Sequence, residues 1–232
     1  MNNLNPNLCP FCECKQLYIV SKTSFKCAKC KKKYSFSKLE KDYEIMNYFC
    51  NDISAKQCAD ALHVNYKSVK DRYMDFRKLI LLHVEEVYAK NLNSFSEYEE
   101  YYFLPKNKRG KVKYLFDSIG ILGKVYNNSI YTILLPDQFS HLRNDNLYNT
   151  DVNFTYMKEY AQYLNRHKLI HYEKFDSQIL RFWVYLEKKL LHFKGISREN
   201  FVYYLKEYEF KFNNTQKEQK NTLWKLWINI KR

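Results

Sequence analysis

Four cysteines near the N-terminus have the type and spacing of a metal site. Cys9 and Cys12 form one CxxC pair, Cys27 and Cys30 form a second, and fourteen residues separate the pairs. Structural zinc takes four thiolates in a tetrahedron and leaves no position for a reactive water, so we expect a structural Zn²⁺ on these residues. Cysteines that are free or joined in disulfides are the alternative. Cys14 is close enough in the chain to compete as a ligand, but the spacing favours the other four.

The residues between and after the two pairs predict the elements that hold them. An alternating stretch at residues 17–20 predicts one strand of a hairpin. Phe25 and residues 34–36 flank the second pair, and we expect these aromatic side chains to cover the metal. Residues 1–38 are therefore predicted to form a zinc ribbon.

The composition points to a polyanionic partner. Lys and Arg number 39 against 25 Asp and Glu, which gives a formal net charge of +14, and such a surplus favours nucleic acid. Residues 22–41 hold eight lysines and one acid, Glu40, and further basic residues lie at Lys225, Lys231 and Arg232. A lysine surplus that merely solvates the surface is the alternative.

Neither a membrane span nor export is expected. The sequence shows no apolar run of eighteen residues and no signal-like segment. Seven cysteines without an export signal are typical of the reducing cytoplasm, where CxxC pairs bind metal. We therefore expect a cytoplasmic protein.

Residues 40–90 contain few helix breakers and carry apolar residues at helical spacing, which predicts a helical segment. Within it, residues 53–77 fit a helix-turn-helix, because Ala59 is a small residue where the helices cross and His63 takes the turn position where glycine is commonest. Arg72 stands where an apolar residue is expected, and Tyr73 is expected to compensate. The other expected core positions are Cys58, Leu62, Val64 and Val69.

The second helix of this motif, at residues 66–78, is the candidate recognition helix. We expect Lys67 and Lys70 to reach DNA phosphates, and Asn65 and Tyr66 to reach base edges. The alternative is an ordinary helical hairpin with a solvated, charged face.

Beyond residue 94 the pattern changes to strands followed by helices. Strand-rich segments are predicted at 98–104, 112–121 and 125–135, and a turn at 120–123 is expected to join the last two into a hairpin. Helical patterns follow at 156–165, 177–193 and 198–208. This order of elements indicates a mixed α/β domain.

In this order the parts resemble the bacterial insertion-sequence transposases that combine a zinc ribbon, a helix-turn-helix and an RNase H-like nuclease domain. EYEEYYF at 97–103 looks like the family's first catalytic strand, and KRGK at 108–111 with the following hairpin looks like its second and third strands. YNTD at 148–151 resembles the end of the fourth strand, and YLKEYEFKFN at 204–213 resembles the C-terminal signature. The resemblance implies a multidomain α+β protein, with a zinc ribbon at 1–38, a helix-turn-helix domain at 39–93 and a mixed α/β, RNase H-like domain at 94–232.

The resemblance also implies two-metal phosphoryl transfer, in which carboxylates hold two Mg²⁺ ions. Glu99 stands where the family has its first aspartate, Asp151 fits the second position, and Asp176 lies beside Ser177 at the third. Glu187 stands at the family's lysine position. A solvated acidic strand edge is the alternative for Glu99 and its neighbours.

These departures leave two functions open. One is a DDE-type transposase that cleaves DNA and transfers strands. The other is an inactive protein, decayed or domesticated, that keeps DNA binding as a module or regulator.

The partners implied by the resemblance are double-stranded DNA, at the terminal inverted repeats of an element, and a second copy of the chain. It further implies a nucleoid-associated protein of the bacterial cytoplasm. An RNA-associated ribbon protein is an alternative that the helix-turn-helix pattern disfavours, because that motif is typical of duplex DNA binding.

Overall fold

A computed structural model describes residues 5–91, 95–109, 112–137, 158, 162, 177–191 and 196–231. These residues form a mixed α+β fold with six helices and two small antiparallel sheets, which confirms the coarse fold class. The strands are β1 Leu17–Ser21, β2 Ser24–Cys27, β3 Lys33–Ser35, β4 Phe95–Phe103, β5 Ile119–Tyr126 and β6 Ser129–Leu134. The α-helices are α1 Phe36–Cys50, α2 Ala55–Leu62, α3 Tyr66–Ala89, α4 Gln178–Leu190, α5 Arg198–Asn213 and α6 Gln216–Ile230.

The chain divides into two compact units. Unit 1 comprises Met1–Leu82 and Asn214–Arg232, and unit 2 comprises His83–Asn213. Helix α3 therefore contributes residues to both units. The predicted three-domain division stays a prediction beside this grouping.

Unit 1 contains the sheet β1-β2-β3, in which β1 and β3 are the edge strands. Strand β1 pairs antiparallel with β2, as the hairpin prediction required. Ser35 then caps the start of α1, because its side chain accepts a hydrogen bond from the backbone N–H of Lys38. Helices α1, α2 and α3 confirm the helical segment predicted at residues 40–90.

A buried carboxylate, Asp42 of α1, organises the core of unit 1. Its oxygens lie 3.0 Å from Nε of Arg72 and 3.2 Å from the indole nitrogen of Trp227, and Lys231 also donates to it. The Arg72 guanidinium lies 4.5 Å from the centre of the Trp227 ring. A buried charge requires such partners, and this explains why a basic residue stands where an apolar one was expected. Tyr73 is buried beside it, as predicted.

Unit 2 is built on the antiparallel sheet β4-β5-β6, with α4 and α5 packed against it. Its core is one apolar cluster to which the sheet and both helices contribute, and full burial of each such side chain contributes about 1.5–3 kcal/mol. Among its least exposed members are Ile121, Ile130, Phe182, Trp183, Phe201 and Leu205. Two 3-10 turns, Lys106–Lys108 and Val112–Asp117, precede β5.

The hairpin turn predicted at residues 120–123 is wrong. Those residues lie inside β5, and the chain turns instead at Asn127 and Asn128, whose φ angles are 43° and 60°. Asparagine tolerates this left-handed conformation, which two-residue hairpin loops require. The glycines in β5 have another cause, since a Cβ on Gly123 would lie 2.5 Å from the Trp183 ring.

The strand predicted at 112–121 is wrong over residues 112–117, which form a 3-10 turn before β5 begins at Ile119. Two further points concern helices. The helix predicted at 156–165 lies outside the described residues, apart from Lys158 and Gln162, which are helical. Helix α6 was not predicted, although Thr215 and Glu218 form a capping box at its start.

Candidate metal centre and nucleic-acid interface

Two turns of the same design place the four cysteines of unit 1. In the first, the N–H of Cys9 donates to the carbonyl of Cys14 (2.9 Å) and the N–H of Glu13 donates back to Cys9 (2.8 Å). In the second, Cys27 and Lys31 repeat these bonds with the same spacing. The fifth residue of each turn, Glu13 or Lys31, has a left-handed backbone with φ of 57° or 62°. The repeated geometry brings the second cysteine of each pair close to the first.

The sulfur atoms of these cysteines form a compact group. All four lie within 4.8 Å of one another, with 3.7 Å between Cys9 and Cys30 and 3.5 Å between Cys12 and Cys27. A tetrahedron of sulfurs around zinc, at about 2.3 Å each, has S···S separations of about 3.8 Å. The four predicted ligands are therefore close enough to bind a metal, consistent with a structural zinc.

The remaining cysteines lie apart from this group. All seven are free thiols, so the disulfide alternative finds no support. The Cys14 thiol lies 3.9 Å from the carbonyl of Gln16 instead of joining the other sulfurs. Cys50 and Cys58 are buried in the packing of unit 1.

The electrostatics of the group suit a cation. Burial raises the pKa of Cys9 to about 12. Burial also acts to raise the pKa of Cys27, but hydrogen bonds, chiefly from the N–H of Cys30, outweigh it and lower that pKa to about 6. Sulfurs at this separation cannot all be thiolates without a compensating positive charge. A divalent cation with thiol affinity supplies that charge, so the donor set fits zinc.

Aromatic side chains cover the group, as predicted. Tyr34 is buried, and its ring centre lies 5.6 Å from that of Phe11 and 6.0 Å from that of Phe25. Burial, with the nearby cysteines, raises the pKa of Tyr34 to about 12. Tyr34 is therefore close enough to the four cysteines to interact with their charge.

A cleft of about 810 Å³ lies next to the group, within unit 1. It reaches Cys9 and Cys12 and is also lined by α6 residues, among them Asn221, Trp224 and Lys225. Cys12 is partly exposed, so the cleft gives a chelator or thiol reagent a route to this cysteine.

The structure places α2 and α3 as two helices joined by a tight turn. His63 ends α2 in the left-handed conformation (φ 50°, ψ 45°), which explains why glycine is commonest at this position. The N–H of Val64 donates to the carbonyl of Ala59, and Ala59 is buried. These features agree with the helix-turn-helix interpretation at the level of local geometry.

The four residues proposed to contact DNA come together at the start of α3. Asn65, Tyr66, Lys67 and Lys70 are all exposed, and Tyr66 retains 52% of its accessible surface. The Asn65 side chain accepts a hydrogen bond from the N–H of Lys67 (2.8 Å), so it caps the helix. The lysines are free to reach a phosphate from this turn, whereas Asn65 already has a structural role.

The catalytic candidates are not brought together by the described residues. Asp151 and Asp176 lie outside them. Glu99 lies on β4, half-buried, where its carboxylate accepts a hydrogen bond from the indole N–H of Trp183 at 3.1 Å. Ser177 caps α4, and Glu187 pairs with Arg109. Within the described part of the chain, the four cysteines are the one group of His, Cys, Asp or Glu close enough to hold a metal.

A buried charge cluster in unit 2 was not predicted. Nζ of Lys206 lies 3.1 Å from Glu209 and 3.0 Å from Glu85, and it lies over the ring of Tyr131. Glu209 is fully buried and also accepts the N–H of Thr132 at 2.7 Å. The available signal was the run of charges at three- and four-residue spacing inside the apolar block 204–213.

Charge is distributed unequally between the two units. Unit 1 contains twenty Lys and Arg against nine Asp and Glu, whereas unit 2 contains nineteen against sixteen. Most of the net positive charge therefore belongs to the unit that carries the cysteine group and the helix-turn-helix.

Comparison with protein-family models, curated proteins and solved structures found no match for this chain. None of the helices in the described residues is both long enough and apolar enough to cross a membrane.

Proposed function

We propose that this chain is a DNA-binding protein of the insertion-sequence transposase type. The main observation in support of this proposal is that the four-cysteine group and the exposed start of α3 belong to the same compact unit. That unit also has most of the net positive charge. Lys67 and Lys70 neutralise backbone phosphates, and Tyr66 lies where it can reach a base edge. Double-stranded DNA at terminal inverted repeats is the proposed target.

The proposal includes one structural Zn²⁺ held by Cys9, Cys12, Cys27 and Cys30. The paired turns and the sulfur separations support this ligand set. The metal would cross-link the two turns and leave no coordination position open, so it stabilises the ribbon instead of reacting.

Zinc content tests this ligand set. The purified chain is expected to release one zinc per molecule when its thiols are modified in the presence of a coloured chelator. Cys12→Ser should lose the metal, and Cys14→Ser, the matched control, should retain it. Full zinc content in the Cys12→Ser variant would exclude Cys12 as a ligand.

Duplex binding tests the proposal as a whole. For a DNA-binding protein, the logarithm of the association constant falls linearly with the logarithm of the salt concentration. The magnitude of this salt slope is about 0.9 for each phosphate contact. Replacing Lys67 and Lys70 by Ala together should lower this slope by about two, as measured by fluorescence anisotropy with a labelled duplex. The control, Lys90→Ala with Lys158→Ala, removes two exposed lysines of unit 2. Equal effects of the two pairs would count against recognition by α3.

DNA cleavage is the second candidate function. It requires Mg²⁺ at a nuclease site in the domain proposed at 94–232, with Glu99, Asp151 and Asp176 as ligands by resemblance. The three successive strands β4, β5 and β6 agree with the start of an RNase H-like domain. The hydrogen bond between Glu99 and Trp183 favours a structural role for Glu99 and therefore the inactive alternative.

Metal-dependent nicking separates these two functions. An active enzyme is expected to nick a labelled terminal repeat with Mg²⁺ or Mn²⁺ and to lose that activity in Asp151→Ala. Binding without nicking would support the module that occupies repeats and regulates the element. Light scattering of the complex tests the homodimer that the resemblance implies.

A further inference from the structure

The ribbon of unit 1 presents a row of three residues across its strands. Tyr18 of β1 pairs directly with Lys26 of β2, and Lys26 pairs directly with Lys33 of β3. Residues that pair across strands share a face of the sheet, so these three side chains lie side by side. All three are exposed, and Tyr18 retains 53% of its surface. The neighbouring row, through Phe25 to Tyr34, lies on the other face, and Tyr34 is buried there.

This row pairs two exposed lysines directly across β2 and β3, and no acid of the described residues balances them. Cβ atoms that pair directly are about 5 Å apart, and like charges at that separation destabilise a sheet. Neither Lys26 nor Lys33 forms an ion pair with another described residue. An anion bound across the two lysines would remove the repulsion. The lysine pair therefore lowers the stability of the free ribbon but favours the binding of an anionic ligand.

The features of the edge strand β1 favour a polyanion over a second protein chain as the ligand of this surface. Strand β1 is an edge, but a bulge between Ile19 and Ser21 interrupts its register, and such bulges hinder strand addition. Lys15 and Lys22 add exposed positive charge at the two ends of β1, so a second copy would be repelled. A sugar–phosphate backbone carries negative charge at regular spacing, and an exposed tyrosine ring packs well against sugar or base.

We infer that the row Tyr18–Lys26–Lys33 binds the sugar–phosphate backbone of duplex DNA. The inference rests on the proposed function and adds to it a second contact surface, separate in sequence from the start of α3. Strand β2 ends at Cys27, and β3 follows the second cysteine turn, so the metal site holds the row in register. Binding through this row therefore depends on the metal, even though no ligand of the metal touches DNA.

The test uses the full zinc-loaded chain and a labelled duplex of about 30 base pairs, with salt titrations by anisotropy. Replacing Lys26 and Lys33 by Ala together is expected to lower the salt slope by about two, and Tyr18→Ser should weaken binding more than Tyr18→Phe. The matched control is Lys38→Ala with Lys41→Ala, two exposed lysines of α1. A slope that changes equally in both pairs would overturn the inference.

A single charge reversal excludes misfolding as the cause. Lys26→Glu places a carboxylate opposite Lys33, so the melting temperature should rise while the salt slope and affinity fall. Affinity and stability that fall together would contradict the inference, because they would indicate a damaged ribbon.

The outcomes also separate this inference from the proposed function. If the Lys67 and Lys70 variant weakens binding and the Lys26 and Lys33 variant does not, the row is overturned and the proposed function stands. If the unmodified chain does not bind the duplex, the proposed function fails as well. Tighter binding to an RNA duplex of the same sequence, lost in the row variant, would assign the surface to RNA and overturn the choice of DNA.

Discussion

At the scale of single residues, Gly123 shows how a missing side chain positions a neighbouring residue. Trp183 packs over the bare backbone of β5 at Gly123, and its indole N–H reaches Glu99, which pairs with Gly123 across the sheet. The ring is also stacked on Tyr101, with centres 5.0 Å apart. One glycine thus fixes the position of the indole and, through it, the orientation of a candidate catalytic carboxylate.

Gly123→Ala is expected to destabilise unit 2. The added Cβ would lie 2.5 and 2.7 Å from Trp183 ring atoms and 3.0 Å from Ile179, so a buried ring must move. Overpacking of this kind costs about 1–3 kcal/mol. Urea unfolding measures the effect. Gly120→Ala is the control, because its Cβ meets Leu135 and Tyr102 side chains no closer than 3.2 Å; an equal or larger loss there would refute this account.

Glu209 makes the stability of unit 2 depend on pH. Burial raises its pKa from the ordinary 4.5 to about 7, although Lys206 and Thr132 act to lower it. Because the folded pKa lies above the unfolded one, the folded protein binds more protons between about pH 4.5 and 7. The free energy of unfolding should therefore rise as pH falls through this range, by at most about 3 kcal/mol.

The measurement is urea unfolding at pH 7.5 and 5, followed through a probe in unit 2. Glu209→Gln should flatten the dependence, since its amide does not titrate. Glu199→Gln, on the exposed first turn of α5, is the control and should leave the slope intact. A wild-type chain that loses stability between pH 7 and 5 would contradict the assignment.

At the scale of elements, the turn between α2 and α3 stores backbone strain. His63 adopts a left-handed conformation that glycine adopts at little cost. His63→Gly should therefore raise the free energy of unfolding by about 1 kcal/mol, which a higher melting temperature would show. His63→Val should lower it, because a β-branched residue tolerates positive φ poorly. If neither substitution changes the melting temperature, the turn does not have this geometry.

The elements that sequence analysis predicted correctly are those specified by local signals. The cysteine spacing led directly to the metal group, and the turn position of His63 led to the join between two helices. The glycines of β5 favoured the prediction of a turn, because glycine adopts turn conformations easily. At Gly123, however, glycine is required because Trp183, sixty residues later in the chain, packs against the backbone. Long-range packing of this kind leaves no local pattern. The capping box at Thr215 was a local signal, and it could have revealed α6.

At the scale of the whole molecule, unit 1 is discontinuous, because α6 completes a core begun by α1 and α3. Trp227 is buried and contacts Phe76, Arg72 and Asp42. No property of residues 36–82 alone indicates that this core needs a tryptophan from the far end of the sequence. This dependence also explains why Arg72 stands where an apolar residue was expected.

Trp227→Ala is expected to cost about 3–5 kcal/mol, because it creates a cavity and removes a donor from the buried Asp42. Hydrogen exchange should show lost protection in α1 and in the part of α3 that belongs to unit 1, with α4 and α5 little changed. Ile230→Ala is the matched control, since Ile230 lies on the same helix with 59% of its surface exposed. Uniform loss of protection throughout the described residues would argue against two units.

The discontinuity of unit 1 also sets an order of events during synthesis. The ribosome delivers the ribbon and α1–α3 first, then all of unit 2, and only afterwards residues 216–230. Domains begin to fold as they emerge, so the nascent ribbon can acquire its metal early, while the pocket around Asp42 waits for Trp227. On the proposed function, an interrupted chain would carry a folded ribbon on an incomplete helical core, and partial translation products would compete poorly for the DNA target.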